Sequence, residues 1–173
     1  MNIEHLFPGT DLQVYKVTDV LSDDQMKLLV KLAEGKIPTG YRAGEIEDAI
    51  QDIRSASIEA CTTIFNTDGL TATEENKDWP WFDLNVGEER DFNASGTYAE
   101  DAKAYLAEFV VQPSTGGGEI FFKRRLLPEN SERVAIKLAP GEMLVASRAA
   151  HHEFEIKQIT SGVRFTLMTH IFG

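Results

Sequence analysis

Residues 151–167 read "HHEFEIKQITSGVRFTL", and the spacing within them governs how the second half of the chain is read. Two adjacent histidines lead into "EFEIKQI" at 153–159, whose period of two is that of a strand with one buried face. Thr160, Ser161 and Gly162 then make a turn, because glycine takes backbone conformations that other residues avoid. A second strand follows in "VRFTLMTHIF" at 163–172, where Arg164 is the lone arginine of an otherwise largely apolar run.

The same texture extends upstream. "WFDLNV", "YLAEFVVQ", "EIFFKRRL", "RVAIKL" and "MLVASR" are short runs between residue 81 and residue 148, separated by turn residues such as Pro113, Gly116 to Gly118, Pro140 and Gly141. Before residue 70 the pattern is different. "LQVYKV" at 12–17 alternates like a strand, and "SDDQMKLLVKLAEGK" then places Gln25 three residues after Ser22, a capping box that satisfies exposed donors of a first helical turn. Met26, Leu29, Val30 and Ala33 share one helical face, with Gly35 suited to the stop. A second helix is expected within 44–65, where Ile46, Ala49, Ile50, Ile53, Ser57, Ala60, Cys61 and Ile64 recur at helical spacing. Helices first and strands after predict an α+β fold, with helices on one face of a β-sandwich or barrel.

The chain has 173 residues, 42% of them hydrophobic, enough for one sizeable core, so a single domain over 1–173 is expected. Within it, 18–66 would be helical support and 80–172 the β core. A formal net charge of -11 disfavours nucleic acid and anionic membranes as partners. Cys61 is the only cysteine, which excludes an intrachain disulfide and a thiolate-built zinc site. With no basic start ahead of an apolar core and no apolar run of about 18 residues, a cytoplasmic protein is expected.

"AEFVVQPSTGGGEIFF", "VAIKLAPGEMLVAS" and "HHEFEIKQITSGVRFTL", in that order, resemble the double-stranded β-helix of the Fe(II) and 2-oxoglutarate dependent oxygenases, especially the prolyl-hydroxylase-like branch. The resemblance covers roughly residues 80–172. It implies a jelly-roll, cupin-like barrel and, as cofactors, Fe(II) and 2-oxoglutarate. Arg164, with Thr166 two residues on, stands where the family holds the distal carboxylate of 2-oxoglutarate, a task suited to a planar guanidinium. On residue chemistry alone, an inward arginine there takes a protein carboxylate instead, and an outward one is solvated. "GGGE" at 116–119 is either the family turn or simply a tight hairpin turn.

The family's iron ligands do not carry over. Its His-x-Asp motif is absent, because the four histidines are His5, His151, His152 and His170. If Tyr98-Ala99-Glu100 occupies that motif, Tyr98 replaces the histidine and a carboxylate survives in Glu100 or its neighbour Asp101. These two acids read equally well as solvated turn residues. Counting back from "TSGVR" without a gap puts Phe154 at the second histidine's position, whereas a two-residue bulge would bring His152 there. Adjacent residues of a strand point to opposite faces, so at most one of His151 and His152 faces inward.

Three functions remain open on this sequence. One is a divergent oxygenase with His152 and Glu100 or Asp101 as remnant metal ligands, oxidising a small molecule or peptide. Another is a metal-independent barrel that binds a small molecule or performs isomerisation or cyclisation, with Tyr98, Glu100, His152 and Arg164 lining it. The third is a non-catalytic pseudo-oxygenase that acts through protein interaction.

Overall fold

The fold was obtained as a computed structural model that describes residues 1–10, 12–35, 43–74, 81–92, 103–124, 135–148 and 152–173. Two antiparallel strands, β1 (Asn2–His5) and β2 (Val14–Thr18), precede the helices α1 (Asp23–Ala33) and α2 (Ala43–Phe65). The strands that follow are β3 (Thr71–Glu74), β4 (Trp81–Leu84), β5 (Arg90–Phe92), β6 (Ala104–Gln112), β7 (Gly116–Gly117), β8 (Ile120–Arg124), β9 (Ala135–Ile136), β10 (Met143–Ser147), β11 (His152–Ile156), β12 (Ile159–Ser161) and β13 (Arg164–Phe172).

Among the described residues, seven strands form the main sheet in the order β1-β2-β10-β6-β13-β3, with β4 also paired to β13. A second sheet runs β5-β11-β8-β9. Following the chain from β4 to β13, the path passes back and forth between these sheets, which is the jelly-roll way of closing a barrel. The helices cover the other face of the main sheet, so the class is α+β.

Alternation along the two central strands explains the layering. Residues of one phase, Phe109, Val111, Phe165, Leu167 and Ile171, join Leu29, Ile53 and Cys61 of the helices in one apolar cluster. Those of the other phase, Leu106, Val110 and Met168, meet Ile120, Phe122 and Ile156 of the second sheet in another. Both strands are therefore buried on both faces, and their sequences read as near-continuous apolar runs.

Local signals set the supporting elements. Ser22 caps α1 by accepting from the Gln25 amide, and the Gln25 side chain returns to the Ser22 backbone, as the capping box requires. Gly35 takes φ +65° just beyond the helix. Trp81 is buried and stacks on Phe165 at 5.2 Å between ring centroids. Among the described residues, no helix is long and apolar enough to cross a membrane.

The glycine-rich turn differs from a simple hairpin. β6 and β8 lie in different sheets, and Gly116–Gly117 instead pairs with Ile159–Ser161 as a small sheet of its own. A side chain on Gly117, which sits at φ +72°, would run into the Gln158 carbonyl. Gly117→Ala is expected to cost more than about 2 kcal/mol in urea unfolding, through strain and backbone clash. Gly44→Ala, in open space at the start of α2, should leave stability unchanged or raise it by up to about 1 kcal/mol. Burial pushes the Cys61 thiol up to about 12. At pH 8 a thiol reagent should therefore label the folded chain at least about 100-fold more slowly than the chain in denaturant.

Candidate functional site

The site is built from the stretch between β11 and β13. Its backbone is tied on two sides: Gly118 N–H donates to the Lys157 carbonyl at 3.2 Å and Lys157 N–H to the Glu119 carbonyl at 2.9 Å, while Ile159 and Gly87 N–H groups bond 88 and 159. Thr115 N–H donates to the Ser161 carbonyl at 3.1 Å. Gly162, at φ +76°, then turns the chain into β13 close against Thr115. Arg164 emerges from this fixed turn as the first residue of β13.

Arg164 points into the barrel and is 3% exposed. Its Nη1 donates to Oε1 of Glu108, which is fully buried, so the two form a buried ion pair. The register explains how they meet. Glu108 on β6 lies opposite Met168, and Thr166 lies opposite Val110 after a bulge that adds Val111 to β6. Glu108, Thr166 and Arg164 therefore share the inward face, and the two long side chains reach towards each other along it. The other carboxylate oxygen, Oε2, and the Thr166 hydroxyl are buried and have no hydrogen-bond partner among the described residues. A polar island thus sits within the barrel's apolar lining.

Next to Arg164 lies a cavity of about 10 Å³, lined by Val110, Ser114, Gly118, Ile120, Lys137 and Leu138 among others. That volume suits about one water molecule. Ser114 donates to the Gly117 carbonyl at 2.8 Å, which holds the glycine-rich turn against this cavity. A wider hollow of about 490 Å³ lies between α1 and α2, lined by Asp24, Lys27, Lys31, Glu45 and Asp48, on the helical side of the main sheet and away from Arg164.

Of the expected site residues, Arg164 and Thr166 are brought together, and Glu108 joins them as a residue the sequence reading had not selected. Tyr98, Glu100 and Asp101 lie outside the described residues, as does His151. His152 opens β11 opposite Arg124, and Phe154 stands opposite Phe122 and Phe92, in step with the buried Ile156. This pairing holds no two-residue bulge between His152 and Ile156. The irregularity downstream is a single extra residue between Ile159 and Ser161.

Among the described residues, no pair of histidines with a carboxylate is arranged as in an iron centre of that kind. His5 donates from Nε2 to the Leu12 carbonyl at 2.9 Å and stacks on Tyr15. His170 accepts at Nδ1 from Arg148 Nη1 at 3.0 Å. Only the chain neighbours His151 and His152 remain. Among the described residues, no three His, Cys, Asp or Glu side chains gather where they would hold a metal ion.

No protein-family model and no curated protein sequence matches the chain. Solved structures do. A viral collagen prolyl hydroxylase from Paramecium bursaria Chlorella virus-1, in complex with 2-oxoglutarate, is 13% identical with a TM-score of 0.59, covering 94% of this chain and 97% of its own. A prolyl hydroxylase from Trichoplax adhaerens, bound to a hypoxia inducible factor peptide, is 12% identical at TM-score 0.62, covering 94% and 84%. A non-heme α-ketoglutarate dependent epimerase from nogalamycin biosynthesis is 11% identical at TM-score 0.56, covering 93% and 78%. The fold is that of the 2-oxoglutarate and Fe(II) oxygenases, at 11–13% sequence identity to these three.

Removing one member of the buried pair strands the other's charge. Arg164→Met or Glu108→Leu alone is expected to lower unfolding free energy by about 3–5 kcal/mol, whereas the double variant should return to within about 2 kcal/mol of the parent in a urea double-mutant cycle.

Proposed function

We propose that this chain is a non-oxidising member of the oxygenase fold, a pseudo-oxygenase whose barrel is scaffold and whose role is binding through its outer surface. The observation that carries this is the Arg164–Glu108 pair. In the resemblance on which the site was read, that arginine takes the distal carboxylate of 2-oxoglutarate. Here a strand carboxylate already neutralises it, and the adjoining space suits about one water molecule.

Two further features support the reading. The His-x-Asp motif is missing from the whole sequence, and among the described residues His5 and His170 are engaged with Leu12 and Arg148. Loss of a ligand weakens metal binding and its preorganisation together. The acidic surface, at net -11, favours partners other than nucleic acid or anionic membrane. A small molecule bound inside the barrel is the less favoured alternative, because Glu108 already holds the Arg164 guanidinium and the adjoining cavity suits about one water molecule.

Aerobic incubation of the full chain with Fe(II), ascorbate and 2-oxoglutarate, followed by succinate and iron analysis, tests this. Succinate should stay at the level of the protein-free control, with no stoichiometric iron retained. One equivalent of bound iron together with succinate formation that Arg164→Ala abolishes would overturn the proposal.

A further inference from the structure

The pair itself has an asymmetry. An arginine fork matches a carboxylate best through two parallel hydrogen bonds, yet Arg164 is joined to Glu108 through one carboxylate oxygen. Oε2 has no partner among the described residues although it is buried. Glu108 reaches Arg164 from the neighbouring strand, tethered opposite Met168, four residues along β13 from the arginine. A tethered carboxylate at that offset approaches the fork end-on.

The surroundings are those of an anion site. Lys137 and Ser114 line the small cavity that Arg164 borders. Gly118 leaves room there: a Cβ on it would meet the Ser114 Oγ at 2.5 Å, the Ile159 Cδ1 at 2.8 Å and the Arg164 Cδ at 3.5 Å. The glycine thus lets Ser114 and Ile159 close on the turn beside the arginine stem.

We infer that Arg164 forms a carboxylate-binding site occupied by the chain's own Glu108, which acts as a built-in ligand and keeps external carboxylates out. This goes beyond the non-oxidising role and does not depend on it, since it concerns which carboxylate the guanidinium holds. Glu108 differs from alanine by one methylene and one carboxylate, which together are the heavy atoms of acetate. Deleting them creates a hole of that shape beside a guanidinium that has lost its counter-ion, and a free carboxylate entering it can turn to meet the fork with both oxygens.

The test is carboxylate rescue of the full-length Glu108→Ala variant. Its melting temperature should fall by about 10 °C. Sodium acetate should restore part of the loss in a saturable manner, as binding to the folded state requires, and sodium chloride of equal ionic strength should not. The parent and the Glu108→Ala/Arg164→Met variant should show no acetate-specific shift. Titration of Glu108→Ala with 2-oxoglutarate in the same assay reports whether the opened site admits the longer acid. If Glu108→Ala does not fold in chloride, refolding from urea into acetate gives the readout: a cooperative melt recovered in acetate alone supports the inference, and no recovery overturns it. Equal effects of acetate and chloride, or a parent that responds to acetate as strongly as the variant, also overturn it. Succinate formation by the parent would sink the non-oxidising role without touching this result.

Discussion

Everything in this molecule is arranged around the pairing of β6 with β13. These nine-residue strands lie side by side in the main sheet, and each has an apolar layer on both of its faces. A strand in that position has no solvent side on which to place a charge. Glu108 and Arg164 are nonetheless there, and both fall on the phase that faces into the barrel. Their charges are tolerable only because each neutralises the other, since an isolated ion in such surroundings carries a desolvation penalty of several kcal/mol. The helices, by contrast, contact the opposite phase, so their packing is independent of what the barrel interior holds.

That division separates the frame of the barrel from the side chains within it. The parts that keep the barrel closed are present: the crossing between sheets, the glycine turn tied to 159–161, and the bend at Gly162 that delivers Arg164 inward. Arg164, Glu108 and Thr166 lie on the inward phase of the strands that this frame encloses. Two apolar layers, one against the helices and one against the second sheet, hold this frame from both sides.

Local features were the most legible in the sequence. The capping box of Ser22 and Gln25, the buried face of α2 with Cys61, and most strand runs from 81 onward depend on neighbours within a few residues and are found where their spacing placed them; the run at 153–159 instead breaks after Ile156, and Thr160 and Ser161, expected in a turn, belong to β12. Partners across the sheets were less legible, because pairing is fixed by contacts far apart in sequence. The triple glycine illustrates this: its local chemistry allows a hairpin, but its partner is β12, some forty residues away. Arg164 stood out as a cation in an apolar strand. Glu108 gave the same signal, a lone carboxylate within "AYLAEFVVQ" in phase with Leu106 and Val110, and reading the two strands as neighbours would have joined them. Residues 98–101 lie outside the described residues.

The distance in sequence between Glu108 and Arg164, 56 residues, has a consequence for the order of folding. Neither charge gains by leaving water before the other arrives, so the inner face of β6 resists collapse until β13 lies beside it. The helical face carries no such restraint and is free to gather its apolar side chains early. Drying of the barrel interior is thereby made a late event, tied to the correct neighbour rather than to hydrophobicity alone. A misaligned β13 would leave a bare charge in an apolar space, so the pair also guards the register in which the barrel closes.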